Sequence, residues 1–403
     1  MRISTSQIFQ SGTKGLMDGQ SKLFKLQNQL GTGRKFLTAA DDPISASQVL
    51  LNSQSLAVNT QHAENQANAA AQLALEEDRL QSVEDSVQYI MEQVVAGGNS
   101  PYSDGQREFF AQNLQTQLDF LLDMANSTDA NGYYLFSGYQ GNTKPFQRMA
   151  DGSVKYNGDD GQRLLQATTS RQIAVSDSGR DIFHSIRSGN GTFALGASAG
   201  NTGTGVIGNG SVNNINAWTG NEYRIEFSSA TDYTIDTVPP STPPTPVSGT
   251  YTPGAAIEDI PGISFTIEGE PKAGDSFTVK PSTDQSMFDT LRNLITAFSS
   301  DVSNNPTAEA ALRNTLNAEM LNLDRILENV SSVQASIGSR RAELESLTNA
   351  SAALDLHYKE RISNLEDIDY AEAISAFIQQ QTNLEAAQSS FAKITSLSLF
   401  NYL

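Results

Sequence analysis

The sequence predicts an α+β protein: long helical coiled-coil rods built from both chain termini, with an inserted outer β-rich domain. Three observations carry this. Apolar residues recur at alternating three- and four-residue intervals in both flanks, the spacing of a helix seam packed on other helices. That period vanishes between about Ser137 and Pro281, where short runs alternate every second residue. The same helical spacing then returns and runs to the last residues.

The N-terminal stripe is Phe9, Gly12, Leu16, Gly19, Leu23, Leu26 and Leu30. Residues 1–40 hold five glycines, at 12, 15, 19, 31 and 33, each costing about 1 kcal/mol in a helix interior. Such a helix is marginal alone and needs partners to bury its stripe. The C-terminal stripe is Ala373, Phe377, Gln380, Leu384, Ala387, Phe391 and Ile394. Both ends are therefore expected to be disordered in the monomer and ordered on assembly, with Phe9, Leu16, Leu23, Leu26, Leu30, Phe377, Leu384, Phe391 and Ile394 as the subunit-interface residues.

A second helix should begin at Asp42-Pro43, where the Asp side chain caps free N–H groups and Pro suits the first helical position, and end near Gly97-Gly98. Its seam is Ala69, Leu73, Glu76, Leu80, Val83, Val87, Ile90 and Val94, broken only by Glu76. A third helix opens on the capping-box spacing Ser103-Asp104-Gly105-Gln106 and runs to about Thr128. Asp284 and Asn305-Pro306 read as further helix starts, ahead of a seam from Leu323 to Ile368 in which eleven of fourteen positions are apolar or aromatic. Both long seams read as core within one subunit.

The middle reads as half-buried strands at Tyr223, Ile225, Phe227, at Ile263, Phe265, Ile267, and at Phe277, Val279. A Gly-rich tract (188–214) and a stretch with six prolines (238–254) read as loops. Three domains follow: 1–40 with 370–403, an inner core of terminal helices; 41–136 with 284–369, a helical rod; and 137–283, the outer β-rich domain.

Composition narrows the function. The chain has 403 residues, with 26 Lys and Arg against 45 Asp and Glu, a net charge of −19. Such acidity excludes nucleic acid as a partner, because neutralising phosphates needs clustered cations. Residues 1–40 run the other way, with six Lys or Arg and only Asp18. That basic stretch is either a solvated face or a recognition or export element. Charged residues are 18 % of the chain, below the roughly 25 % of ordinary domains. Cysteine is absent, which removes thiol chemistry and disulfides. No apolar run approaches the roughly 18 residues of a membrane span, and the start lacks the h-region of a secretory signal.

Motif matches dissolve on inspection. Gly189–Ala194 and Gly203–Gly208 imitate dinucleotide loops, but lack the strand before and the helix after. Gly196-Ala197-Ser198-Ala199-Gly200 imitates a nucleophile elbow, but the only downstream histidine, His357, lies in the middle of a helical seam. Asp41-Asp42 reads as a helix start rather than a catalytic pair, and Asn157-Gly158-Asp159-Asp160-Gly161 as a hairpin turn rather than a calcium loop. His62 and His184 have no ligand neighbours in sequence. The reading contains no catalytic residue, no cofactor and no metal.

Several stretches carry a resemblance. Gly33-Arg34-Lys35 leading to Ala40-Asp41-Asp42-Pro43, with helical ends around a β middle, resembles the flagellin superfamily. Flagellins typically follow the two aspartates with Ala-Ala-Gly; Pro43 instead resembles the branch that joins the flagellar hook to the filament. So does the ending Ser396-Leu397-Ser398-Leu399-Phe400-Asn401-Tyr402-Leu403. Tyr133–Gly138, Tyr156–Asp159, Asp177–Phe183 and Gly274–Phe277 are further matches, and the likeness covers roughly 1–185 and 262–403. The resemblance implies an extracellular axial structural protein of the flagellum, exported by its type III apparatus without a cleaved signal. Its implied partners are an export chaperone, copies of itself in a ring, the first hook-associated protein and flagellin. Flagellin itself, or a secreted coiled-coil adhesin or effector, is the alternative.

Overall fold

The computed structural model describes residues 5–98, 102–239 and 246–396. Seven helices are found among them: α1 (Thr5–Thr32), α2 (Pro43–Gly98), α3 (Asp104–Ala125), α4 (Gly179–Phe183), α5 (Met287–Phe298), α6 (Pro306–Glu366) and α7 (Tyr370–Ser396). Residues 1–4 and 397–403, including most of the C-terminal ending quoted above, lie outside the described residues.

The chain gathers into two compact units, Met1–Asn65 with Ser346–Leu403 and Gln66–Glu345, so the division falls inside α2 and α6. The first unit holds α1, α7, the start of α2 and the end of α6. In it, the Asn59 Nδ2 of α2 donates to the Ser351 carbonyl of α6 at 2.8 Å. The three-part division drawn from the sequence remains a proposal about layering.

In the second unit the seam of α2 is buried from Ala69 to Val94, Glu76 included. Leu323, Ile326, Val330, Ile337 and Leu344 of α6 are buried as well. A seven-residue repeat keeps one face of each helix on its neighbours, and full burial of a Leu or Ile there stabilises by roughly 1.5–3 kcal/mol. Gln106 Oε1 accepts from the Ser103 N–H at 3.0 Å at the start of α3. That helix ends at Ala125, before Thr128, because the Asn126 side chain turns to donate to the Leu122 carbonyl and to accept from the Phe146 N–H. Phe136, Phe146, Phe183 and Phe288 cluster beside it with ring centroids 5.2–6.3 Å apart.

The expected helix start at Asp284 is corrected. Asp284–Gln285 forms a short strand, and α5 begins at Met287 with Ser286 Oγ accepting from the Asp289 N–H. A capping side chain wins where its oxygen reaches the free N–H groups of the first turn, and here that is Ser286.

Among the described residues, fifteen strands lie between α3 and α5. In chain order they are β1 (Phe146–Arg148), β2 (Val154–Tyr156), β3 (Leu164–Thr168), β4 (Arg171–Ala174), β5 (Ile186–Arg187), β6 (Phe193–Ala197), β7 (Val206–Ile207) and β8 (Ser211–Val212). They continue as β9 (Glu222–Phe227), β10 (Asp232–Val238), β11 (Val247–Thr250), β12 (Ala256–Ile257), β13 (Ile263–Glu268), β14 (Ser276–Pro281) and β15 (Asp284–Gln285). One sheet runs β11-β10-β9-β14-β6; a second runs β12-β13-β7, with β8 also on β13. Tyr223, Ile225 and Phe227 from β9, Ile263, Phe265 and Ile267 from β13, and Phe277 and Val279 from β14 fill one core shared by both sheets. Alternation along β9 and β13 puts every second side chain into that core.

The Gly-rich tract is therefore more than loop: it contributes β6, β7 and β8, and β11 lies within the Pro-rich stretch. Partner strands supply the hydrogen bonds and the burial that weak β propensity cannot, so tertiary context decides. Residues 240–245 lie outside the described residues.

Helix α6 holds this insertion through side-chain amides. Asn314 Oδ1 accepts from the Ile207 N–H at 2.7 Å while its Nδ2 donates to the Gly205 carbonyl at 3.0 Å. Asn322 Oδ1 accepts from the Gly189 N–H at 2.7 Å, and Asn329 Nδ2 donates to the carbonyls of Asp181 and Ile182. Asn314 stands in for a strand partner beside β7, Asn322 ties the turn before β6, and Asn329 takes carbonyls of α4, each satisfying backbone groups that would otherwise lack that partner.

Candidate assembly site at the terminal helices

Helices α1 and α7 pack along the two stripes. The rings of Phe9 and Phe391 lie 5.3 Å apart. A β-carbon on Gly12 would sit 2.6 Å from two ring carbons of Phe391, and one on Gly19 would sit 3.1 Å from Leu384 Cδ1. Gln380 Nε2 donates to the Gly19 carbonyl at 3.4 Å. Two of the five glycines thus let the helices approach closely, a use the helix-propensity argument alone does not reveal. Gly15 and Gly31 have nothing within 4 Å of such a carbon.

The stripes are not fully covered by this pairing. Leu384 and Ala373 are buried. Leu16, Leu23, Leu26, Leu30, Phe377 and Phe391 are half-buried, and Phe9 and Ile394 are exposed. Each helix also has a second apolar face: Met17 and Phe24 on α1, and Ile374 and Ile378 on α7, all exposed. The sequence reading missed these four, although the seven-residue step from Met17 to Phe24 and the four-residue step from Ile374 to Ile378 were both visible.

A tied turn sets where the terminal helices leave α2 and α6. Gly33 takes φ +72°, the left-handed conformation that ends α1. The Lys35 N–H then donates to the Glu366 carbonyl at 2.7 Å, and the Ile368 N–H to the Gly33 carbonyl at 2.9 Å. Arg34 Nε reaches Glu366 Oε1 at 3.0 Å across the same bridge.

Asp41 and Asp42 have different tasks. Asp41 Oδ1 meets Lys25 Nζ at 2.6 Å, and its Oδ2 accepts from the N–H groups of Leu37 and Thr38. The Lys25 bond, then the Thr38 N–H, pull its carboxyl down to about 2. Asp42 accepts from the Ser45 N–H at 3.1 Å and from Ser45 Oγ at 2.7 Å, at the first turn of α2, where Pro43 is the first helical residue. Its carboxyl is lowered by the Ser45 bonds. Both aspartates are thus bound up in chain geometry, Asp41 in the turn before α2 and Asp42 at its first turn.

The other motif positions are equally structural. Gly189–Ala194 is the turn into β6, with Asn190 Oδ1 accepting from the Thr192 and Phe193 N–H groups. Ser198 follows β6, and its N–H donates to the Ser276 carbonyl. Asp159 Oδ1 accepts from the Tyr139 and Gly161 N–H groups, closing a turn.

In the second unit, Glu76 is 1 % exposed in the seam of α2. Its Oε1 accepts from the Asp177 N–H at 3.1 Å. Arg340 forms an ion pair with Asp177 Oδ2 and donates to the Ala174 carbonyl at 3.1 Å. Burial, reinforced by the Asp177 charge and opposed by Arg340, raises the Glu76 carboxyl to about 8.

Comparison with known proteins places this architecture. The profile of the bacterial flagellin N-terminal helical region matches residues 3–141, and that of the C-terminal helical region matches residues 320–403. The flagellar junction protein FlgL of Legionella pneumophila is 30 % identical, with a TM-score of 0.72 over 79 % of this chain and 100 % of that one. FlgL of Xanthomonas campestris is also 30 % identical, with a TM-score of 0.72 over 77 % and 99 %. This chain belongs to the FlgL family of flagellar hook-associated proteins.

Similarity to the family extends beyond the helices. Flagellar hook-associated protein 3 of Salmonella typhimurium is 27 % identical over 400 residues, 99 % of each chain. The FlgL likeness therefore runs through 186–261, where the sequence offers no motif. The two flagellin profiles stop short of it, leaving 142–319, and with it the β insertion, outside the general flagellin pattern.

Proposed function

We propose that this chain is an axial structural protein that joins the flagellar hook to the flagellin filament. In this reading a ring of identical copies contacts the first hook-associated protein on one side and flagellin on the other. The observation that carries it is the double apolar character of α1 and α7. One face of each pairs within the chain, through Gly12, Gly19, Leu384 and Phe391. Phe9, Met17, Phe24, Ile374, Ile378 and Ile394 stay exposed, an apolar surface of the kind that marks an interaction site. Neighbouring subunits bury it, together with the remaining stripe residues Leu16, Leu23, Leu26, Leu30 and Phe377.

Before assembly that surface needs protection, which an export chaperone supplies; the chain reaches the cell exterior through the flagellar export apparatus, without a cleaved signal. The relatives named for the hook-associated role, 27–30 % identical over most of the chain, support a junction subunit over a bulk filament subunit. Its role is structural, with no substrate, cofactor, nucleic acid or membrane involved.

Deleting the gene tests this. The expected phenotype is complete hooks that lack filaments, with flagellin in the medium. Filaments of normal length and strength would overturn it, and immunolabelling along the filament rather than at its base would favour the flagellin alternative.

A further inference from the structure

Ile44, Leu51 and Val58 stand at intervals of seven along α2, the repeat of a coiled-coil seam. They are 73 %, 60 % and 46 % exposed, and the neighbouring Leu50 is 69 % exposed. This stripe is not the face α2 uses within the chain. Val49 and Leu56, half-buried, and Asn59, buried against the Ser351 carbonyl, occupy the other side. Residues 43–63 also contain no Asp, Glu, Lys or Arg. At 18 % charged residues overall, a stretch of that length would ordinarily hold about four.

We propose that the Ile44–Leu51–Val58 stripe is the surface through which one copy of this chain packs on a second copy. The charge distribution selects that occupant. Each copy carries a net −19, so outside the basic residues 1–40 two copies repel where their charged faces approach. An uncharged apolar stripe bordered by Ser47, Gln48, Gln54 and Ser55 lets them meet without burying like charges. An unlike partner could be recognised by charge complementarity and would not need a neutral face. The inference rests on the ring of identical copies proposed above and names the copy-to-copy surface within it.

The absence of cysteine makes the test direct. A Leu51→Cys full-length chain, labelled with a benzophenone maleimide, is irradiated in isolated flagella and in purified form. The expected product is an adduct of two copies of this chain. An adduct with a different protein, or no adduct in flagella that contain the chain, overturns the proposal.

In a second arm, sedimentation of the purified full chain should show that Leu51→Glu raises the dissociation constant for self-association at least tenfold, with helicity by circular dichroism unchanged. Thr60→Glu, exposed and half a turn away, should change it less than twofold. Equal effects from both substitutions overturn the assignment of the stripe. So does a wild-type chain that is monomeric in solution and gives no two-copy adduct. The cross-linking arm decides alone if the Glu variant unfolds. Absence of the chain from isolated flagella counts against the junction reading instead, and the sedimentation arm then judges the stripe separately.

Discussion

Gly12 lies directly under the ring of Phe391: a β-carbon there would come within 2.6 Å of two ring carbons. Gly12→Ala must therefore displace the Phe391 ring, an overpacking cost of typically 1–3 kcal/mol. A β-carbon on Gly15 would meet nothing within 4 Å, so Gly15→Ala should stabilise α1 by up to about 1 kcal/mol through helix propensity. Circular dichroism of the two full-length variants should move in opposite directions at the low-temperature end of a thermal melt. Parallel changes would show that α1 and α7 do not pack through Gly12.

The terminal pair is only partly buried on itself, so it should open at lower free energy than the seams of the second unit. Mild trypsin on the monomer should cut at Lys14, Lys22, Lys25 and Lys393 before Arg79, Arg107 or Arg325. Mass spectrometry of early fragments reads this out. Early cleavage at Arg107 or Arg325 would contradict the ranking.

Much of this architecture was legible in the sequence, because a seam such as Leu73–Val94 obeys one local rule over many turns. The β alternation at Tyr223–Phe227 is legible for the same reason. What escaped depends on distant partners. Ser286-Met287-Phe288-Asp289 did carry a capping spacing of its own, but that Asp284–Gln285 pairs as a strand with Ile186–Arg187 depends on a distant partner, and nothing in the Gly-rich tract reports that Phe193–Ala197 pairs with Phe277–Pro281. At the terminal helices the sequence supplied the stripes. It could not divide them into the side that Phe391 and Leu384 cover and the side holding Met17 and Phe24, because that depends on where α7 lies against α1.

Asn314 replaces two strand partners at once, for the Ile207 N–H and the Gly205 carbonyl. Asn314→Leu leaves both without that partner at a buried site, and an unmade buried hydrogen bond costs about 1–3 kcal/mol per group. The chain should lose several degrees of melting temperature, by calorimetry on the second unit's transition. Asn314→Asp keeps the acceptor for Ile207 but not the donor, and should fall between Leu and wild type. A Leu variant as stable as wild type would mean that water replaces the amide without loss.

Glu76 makes stability depend on pH in a direction opposite to most carboxylates. Its folded value of about 8 lies above the ordinary 4.5, so the folded chain binds a proton that the unfolded chain releases. This contribution is fully present below about pH 4.5, declines as pH rises, and is gone above about pH 8. The loss is on the order of a few kcal/mol. Asp177, Arg340 and Arg163 are the charged groups that face Glu76. Glu76→Gln removes the titration while retaining an acceptor for the Asp177 N–H. Its stability should therefore exceed wild type at pH 9 and approach it at pH 5, measured by urea unfolding of the full chain at both values. If the difference between variant and wild type were the same at the two pH values, Glu76 would not be the titrating group.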